Sequence, residues 1–381
     1  MVKPSSSDAP PLWRVVELDK FQTPEQTEAS QWRRSLRSAS TWLIGKNAVE
    51  KQVKEEHELR ALPEIKLGHL VPPIDWEPAA NALAKKIDSQ DAPVIFFITP
   101  PHGGHASVVA HWASQAQATC FPTPTLSELA SGDNQWVERC LNQRHWAVPA
   151  LERHFLRHSH GVQGIRDFLE RALSGRLGQG VIGCDSWCYA YLQQVIGVEG
   201  APVFTLQSME GEQLSRYFSA IATSRGKPPA IYSTRTGKRI MPTEQGKPTK
   251  NPHKELQRLA AHCRGHLGIA WHYWRERLRE PSSEDDTALW LVDALAEAEL
   301  PADTGDVATL VLHALLIHGG LDDQSLGQVL PFSHHEALNA RLALQRKGIV
   351  EGVDGRWQVA PLSYASVRQL LESRNYLVDP L

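Results

Sequence analysis

The sequence predicts an α/β protein: a buried parallel sheet, a helical stretch, and a C-terminal domain of helices closed by a hairpin. Three observations carry that expectation. Val94-Ile95-Phe96-Phe97-Ile98 is an unbroken apolar run, too short for a membrane span and rich in β-branched and aromatic residues. It reads as a strand covered on both faces. Gly180 to Asp185 is a second such run, followed at once by a helical pattern. Beyond residue 302, capping and turn signals succeed one another at the spacing of three helices and a two-stranded hairpin.

Taken in order, residues 1–75 read as a Ser/Pro-rich tail and a helical leader. The first residues, to about 12, carry too few apolar side chains to pack. Trp32, Leu36, Ala39 and Leu43 fall at helical spacing, and Arg33, Arg34 and Arg37 read as a solvated helix face. Val71 to Trp76 is a Pro-containing linker, and Pro78–Ile87 a helix leading into the first strand. The turn Pro100-Pro101-His102-Gly103-Gly104 follows that strand, then a helix with Val108, Val109, Trp112 and Ala113 on one face. Ala118 to Pro122 reads as a short strand. Thr125 opens a helix to Arg139, with Glu128 completing a capping box. His145 to Ala172 reads as two helices parted by Gly161. The strand Gly180–Asp185 precedes the helix Trp187–Val195, and Ala201–Leu206 reads as a core strand before a helix over 211–223.

Strand, glycine turn and helix is the geometry in which backbone N–H groups surround a phosphate, and here the chain resembles the P-loop NTPases. Thr99 to Ala106 stands where a Walker A loop, G-x-x-x-x-G-K-[ST], would stand. Gly104 keeps its position. Thr99 replaces the first glycine, His105 the lysine and Ala106 the hydroxyl, with Ser107 one position late. The lysine charge serves the β/γ-phosphates and the hydroxyl serves Mg²⁺, so a shorter, mostly neutral histidine is a poor replacement. Gly180–Asp185 resembles a Walker B strand whose aspartate steadies Mg²⁺, with Ser186 where the water-activating glutamate belongs. Asp185 or Ser186 reads equally well as the N-cap of the next helix.

The leader helix resembles those of AAA+ ATPases. The string His262–Ala270, where Arg264-Gly265 breaks two helices, resembles the lid of STAND and AAA+ ATPases. There a basic residue approaches the nucleotide, which Arg264 or His266 would supply. The resemblance implies a P-loop NTPase-like core over 76–255, a helical lid over 256–302, and ATP or ADP with Mg²⁺ as cofactor. It implies Gly103, Gly104, His105, Ser107, Asp185 and Arg264 as nucleotide contacts and Asp185 as the metal's. Thr287–Leu295 reads as a strand or short helix.

The C-terminal domain, 303–381, reads as a winged helix with an added terminal helix. Asp306 caps a helix with Leu310, Val311, Ala314 and Leu315 inward, and Leu326, Val329 and Leu330 mark a short second one. Ser333 and Glu336 form a capping box opening the third, and Asp354-Gly355 turns the hairpin. Asn339, Arg341, Arg346 and Lys347 are its candidate partner-binding residues. Over 305–381 there are six basic and eight acidic residues, a balance of −2. DNA-binding wings are usually basic, so the charge favours a protein partner. The segment Ser224–Lys254 is the reverse, with eight basic residues against Glu244. With Arg235, Lys238 and Arg239 it offers phosphate contacts, although a solvated loop is the simpler reading.

The 381 residues, 41% hydrophobic and 22% charged with a net charge of −3, suit a soluble multidomain protein and argue for no nucleic-acid or membrane partner globally. Five scattered cysteines without C-x-x-C spacing suit a reducing cytoplasm. No apolar signal core and no run of about 18 apolar residues occurs. His154 and His158 lack the companions of a metal site, and Cys184 reads as a structural thiol. The expected function is a regulatory or scaffolding protein, able to join an oligomer, with a degenerate nucleotide site. It would engage a macromolecule through its winged helix and basic loop. The alternatives are an active ATPase with an atypical loop and a DNA-binding regulator.

Overall fold

In the computed structural model, Val94–Thr99 is buried along its whole length, and the rest of a six-stranded sheet is arranged around it. The structure describes residues 11–24, 54, 56–131, 135–140, 143–158, 160–223, 229–241, 254–283, 288–293, 295, 298, 300 and 305–381. The pattern of Trp32, Leu36, Ala39 and Leu43 with Arg33, Arg34 and Arg37 lies outside these residues. So do Arg225, Lys227, Glu244, Lys247 and Lys250. The described strands are β1 (Val15–Glu17), β2 (Leu59–Ala61), β3 (Val94–Thr99), β4 (Thr119–Cys120), β5 (His145–Val148), β6 (Gln179–Asp185), β7 (Val203–Leu206), β8 (Ile231–Ser233), β9 (Leu278–Pro281), β10 (Leu289–Leu291), β11 (Val350–Val353) and β12 (Arg356–Val359).

Contacts divide the chain into two units. The larger comprises Val15–Phe21, Asp75–Leu206 and Glu297–Leu381, and the smaller Met1–Arg14, Gln22–Ile74 and Gln207–Ala296. The larger unit is an α/β fold on a sheet of order β1-β7-β3-β6-β5-β4. Strands β7, β3, β6, β5 and β4 run parallel, and β1 closes one edge antiparallel to β7. Helices cover the sheet, so its central strands carry apolar side chains on both faces. The helix His105–Gln115 buries Val108, Val109, Trp112 and Ala113, as its spacing predicts. Phe121 stacks on Trp146 at 5.3 Å with Phe168 edge-on to both. Each such ring contributes about 1.5–3 kcal/mol by burial. Gly180 is required beneath them: a Cβ there would lie 2.0 Å from Trp146 Cε2.

The run His145–Val148 is not helical. It is β5, paired parallel with β4 and β6, and a single helix, Gly161–Leu173, follows it. A four-residue strand shows no period long enough to tell it from a helical turn; its neighbours decide. Thr125 and Glu128 form the expected capping box, and the described residues of that stretch contain the helices Leu126–Ser131 and Gln135–Glu138, with 132–134 outside the described residues.

The C-terminal part of this unit has the expected order. Helices Asp306–Ile317, Asp323–Val329 and His334–Arg346 precede the hairpin β11–β12, and Tyr364–Ser373 follows. The Ser333–Glu336 capping box is present, and Asp354 and Gly355 take the positive φ of a tight hairpin turn.

The smaller unit contains a four-stranded sheet, β2-β9-β10-β8, beside the helices Glu64–Leu70, Gly211–Thr223, Lys254–His262 and Leu267–Arg277. Apart from the strand alternative at Thr287–Leu295, this sheet has no counterpart in the sequence reading. Its strands are three or four residues long, and β8 lies in the basic segment that reads as a solvated loop. Leu289–Leu291 takes the strand alternative. Arg264 and Gly265 both have positive φ at the break between two helices, where Gly265 leaves no room for a Cβ beside Ser208. Among the described residues no helix is long and apolar enough to cross a membrane.

Candidate functional site

From β3 the chain moves out to β4, and from the neighbouring β6 it crosses to β7 on the other side. Their carboxyl ends therefore form a topological switch point, the usual ligand crevice of an open α/β sheet. Strand register places Thr99 beside Asp185 there.

The turn after β3 is tightly specified. Gly103 N–H donates to Pro100 O at 2.9 Å, and His102 at the third position has φ +63°, the conformation of a type II turn. Gly104, with φ +80°, precedes the helix His105–Gln115. A Cβ on Gly104 would sit 2.3 Å from Trp76 Cε2, and one on Gly103 would sit 2.6 Å from Thr99 Oγ1. The indole therefore packs directly on the turn, and both glycines are needed.

His105 is buried at the first position of the helix. Its Nδ1 lies 3.0 Å from Thr99 Oγ1 and its Nε2 lies 2.9 Å from Glu152 Oε1. Glu152 comes from the short 3-10 turn Leu151–Arg153 after β5, and its other oxygen accepts from Asp185 N–H at 3.2 Å. Burial works to raise the Glu152 carboxyl, but the facing His105 and the backbone N–H groups hold it below its ordinary value. Asp185 responds oppositely. Burial first, then the Glu152 charge, push it well above the carboxylate range, while its Oδ1 accepts from Trp187 N–H at 2.9 Å. The N-cap geometry is thus present at Asp185.

Thr99, His105 and Glu152 form a hydroxyl–imidazole–carboxylate line, the order of a nucleophilic relay. Thr99 is 1% exposed beneath Gly103, so no substrate carbonyl can reach its hydroxyl.

The network continues into the C-terminal part of the unit. His102 Nε2 donates to the Val359 carbonyl at 3.0 Å, and burial lowers this imidazole to about 4. Ser186 Oγ donates to Asp379 Oδ2 at 2.8 Å, and Trp187 Nε1 donates to Tyr364 Oη at 3.0 Å. Tyr364 and Arg368 both donate to Asp379.

Phosphates need cationic or N–H donors facing the turn. The lysine position holds a histidine with both ring nitrogens engaged, next to two carboxyl groups. This arrangement does not fit an Mg²⁺–triphosphate. Ser107 is exposed on the helix. Among the described residues no group of three or more His, Cys, Asp or Glu side chains could hold a metal ion.

The partner-binding candidates divide. Asn339, Arg346 and Lys347 are exposed on the helix His334–Arg346 and just past it. Arg341 is not available. It is 4% exposed, grips Asp323 through Nε and Nη2 at 3.0 and 2.9 Å, and lies 4.1 Å above the Trp357 ring. In the smaller unit Arg235 donates to Glu255 at 2.8 Å, Lys238 is exposed, and Arg239 pairs by backbone with Tyr232. Arg264 belongs to that unit's helix break. The sequence reading missed Glu152, Trp76 and the Tyr364–Arg368–Asp379 cluster. Reading His145–Val148 as a strand would have placed Glu152 at a strand end, where a site residue is expected.

No protein-family model and no curated protein matches this chain. Among solved structures it is similar to Drosophila ORC bound to DNA, with 12% identity and a TM-score of 0.38, covering 89% of this chain and 99% of that one. It is also similar to a Walker-type ATPase of Pyrococcus abyssi, with 10% identity and a TM-score of 0.30, covering 77% of this chain and 95% of that one. At those scores neither likeness bears on function, and the α/β architecture is read from the sheet itself.

Proposed function

We propose that this chain is a regulatory or scaffolding protein of AAA+/STAND type. Its P-loop-derived turn no longer manages phosphates but anchors the winged helix to the sheet. The observation that carries this reading is the engagement of the turn: His105 between Thr99 and Glu152, and His102 on the Val359 carbonyl of the wing. Asp185, spent as a helix cap and pushed toward its protonated form, supports the same view. The winged helix is left with an exposed face on its third helix, where Asn339, Arg346 and Lys347 engage a protein partner; its balance of −2 disfavours a DNA backbone.

Calorimetric titration of ATP and ADP, with and without Mg²⁺, tests the first part. The expected result is no Mg²⁺-dependent binding by the folded protein. Micromolar binding that requires Mg²⁺ and weakens in Asp185→Asn would restore the ATPase alternative. Titration with duplex DNA at two salt concentrations tests the second, since binding through several phosphate contacts would weaken steeply with salt.

A further inference from the structure

The helix Tyr364–Ser373 ends in a turn where Asn375 has φ +58° and Tyr376 N–H donates to the Leu371 carbonyl at 3.0 Å. Beyond it, 377–381 reaches the end of β6 and is held by side chains rather than by a ladder. Leu377, Val378 and Leu381 make no backbone–backbone hydrogen bond among the described residues. The Leu377 backbone meets the His313 imidazole. Asp379 and Leu381 carry the rest of the hold.

Asp379 is 4% exposed, and three side-chain donors surround its carboxylate. Ser186 Oγ donates to Oδ2 at 2.8 Å, Tyr364 Oη to Oδ2 at 3.1 Å and Arg368 Nε to Oδ1 at 2.9 Å. Arg368 Nη2 lies 3.4 Å from the Asp379 carbonyl oxygen and 3.5 Å from that of Leu381. Leu381 is 1% exposed, in the same buried cluster as Ile317 and Leu192. The acceptor therefore has two parts: an anion seat made by Ser186, Tyr364 and Arg368, and an apolar hole for a side chain two residues on. The seat comes from two helices and not from the segment itself. Ser186 opens Ser186–Val195, and Tyr364 and Arg368 belong to Tyr364–Ser373.

Burying a carboxylate–guanidinium pair gives little net stability over apolar packing of the same volume. A segment needed for stability alone is fastened as well by apolar side chains. The polar seat adds selectivity for its occupant, and its hydroxyls and guanidinium are groups that water solvates when the occupant leaves.

We propose that 377–381 is an exchangeable latch. Its seat is a docking site for a peptide segment of the pattern acidic–x–leucine, masked by the chain's own Asp379 and Leu381. The partner it fits is a protein presenting that pattern in an extended segment. The site uses neither the exposed face of the helix His334–Arg346 nor the glycine turn, and it is independent of the regulatory reading.

The probe is a fluorescent synthetic peptide of residues 374–381. Tethering gives the chain's own segment an effective concentration of about 1 mM, so the wild-type chain should bind the peptide weakly. The double variant Asp379→Ala/Leu381→Ala, made in the full chain, empties the seat and leaves Ser186, Tyr364 and Arg368 in place. It should bind with a Kd of about 100 µM or tighter, at least tenfold better than wild type. Asparagine in place of the peptide's aspartate, or Arg368→Gln added to the double variant, should cost at least tenfold. In wild type, hydrogen exchange at 377–381 should rise at least threefold under excess peptide while the helix Tyr364–Ser373 keeps its protection. That measurement decides the question if the double variant fails to fold. Equal binding by wild type and the folded double variant, or by the peptide and its asparagine form, overturns the seat. Unchanged exchange at 377–381 under excess peptide overturns the latch, and the segment is then a permanent part of the fold.

Discussion

Glu152 in the larger unit and Glu255 in the smaller are both deeply buried, and the two are compensated differently. In the larger unit Glu152 is met by one imidazole, that of His105, and one backbone N–H. In the smaller unit Glu255 is met by Arg235 at 2.8 Å, Arg258 at 3.1 Å and Arg277 at 3.3 Å. Both carboxyls are 4% exposed or less, and both are held below their ordinary value against the effect of burial. The difference is in the partners. Three guanidinium groups hold Glu255 in an ion cluster, whereas Glu152 has a single imidazole and a backbone N–H. The first arrangement is built to fix a charge within one unit; the second ties the β5 end to the glycine turn and to the end of β6.

The largest test of this contrast is Glu255→Gln. It leaves the arginines without their shared counter-charge, including Arg277, itself 1% exposed. Breaking a buried pair costs about 3–5 kcal/mol, so the denaturant midpoint should fall sharply. A midpoint equal to wild type would mean the cluster is not structural.

Glu152→Gln should cost less, about 1–3 kcal/mol, because the amide oxygen still accepts from His105. Its pH signature sharpens the comparison. A carboxyl lowered in the fold contributes stability that is full above its unfolded value near 4.5 and is lost as pH falls through the lower folded value. Asp185 is raised in the fold, so its contribution is present at low pH and is lost as pH rises from its unfolded value toward its folded one. Urea unfolding at stepped pH should show a shallower acid loss in Glu152→Gln. It should also show a smaller penalty on the alkaline side, because Asp185 no longer faces a charge. A profile parallel to wild type would place both groups outside the stability balance.

The smallest effects belong to the helix His334–Arg346. Arg341→Lys loses the two-pronged grip on Asp323 and the stacking on Trp357, for about 1 kcal/mol. Arg346→Ala should change stability by less than about 0.5 kcal/mol, read from the same urea curves. A large loss in Arg346→Ala would mean that its exposed side chain has a structural role.

Much of the larger unit was legible because its signals are local. The runs Val94–Ile98 and Gly180–Asp185, the helix face Val108–Trp112, and the Ser333–Glu336 box each specify an element within a few residues. The turn's two glycines were legible as well, but their reason was not. Gly104 answers to Trp76, 28 residues earlier, as well as to backbone conformation, and no spacing rule links those two positions. Short strands failed for the same reason: β5 and the sheet β2-β9-β10-β8 gain their identity from neighbours distant in sequence.

The sequence by itself determined the parallel-sheet α/β class, the strand–glycine turn–helix element with His105 at the start of its helix, and the order of C-terminal helices and hairpin. All of these follow from short-range periodicity, capping and turn chemistry. Only the tertiary structure decided what His105 binds. Glu152 lies 47 residues from His105 in sequence and 2.9 Å away in space, and Asp379 reaches Ser186 across 193 residues. Partners of a buried polar group are chosen by packing, because any close donor or acceptor offsets desolvation and the chain's order places no limit on which one it is.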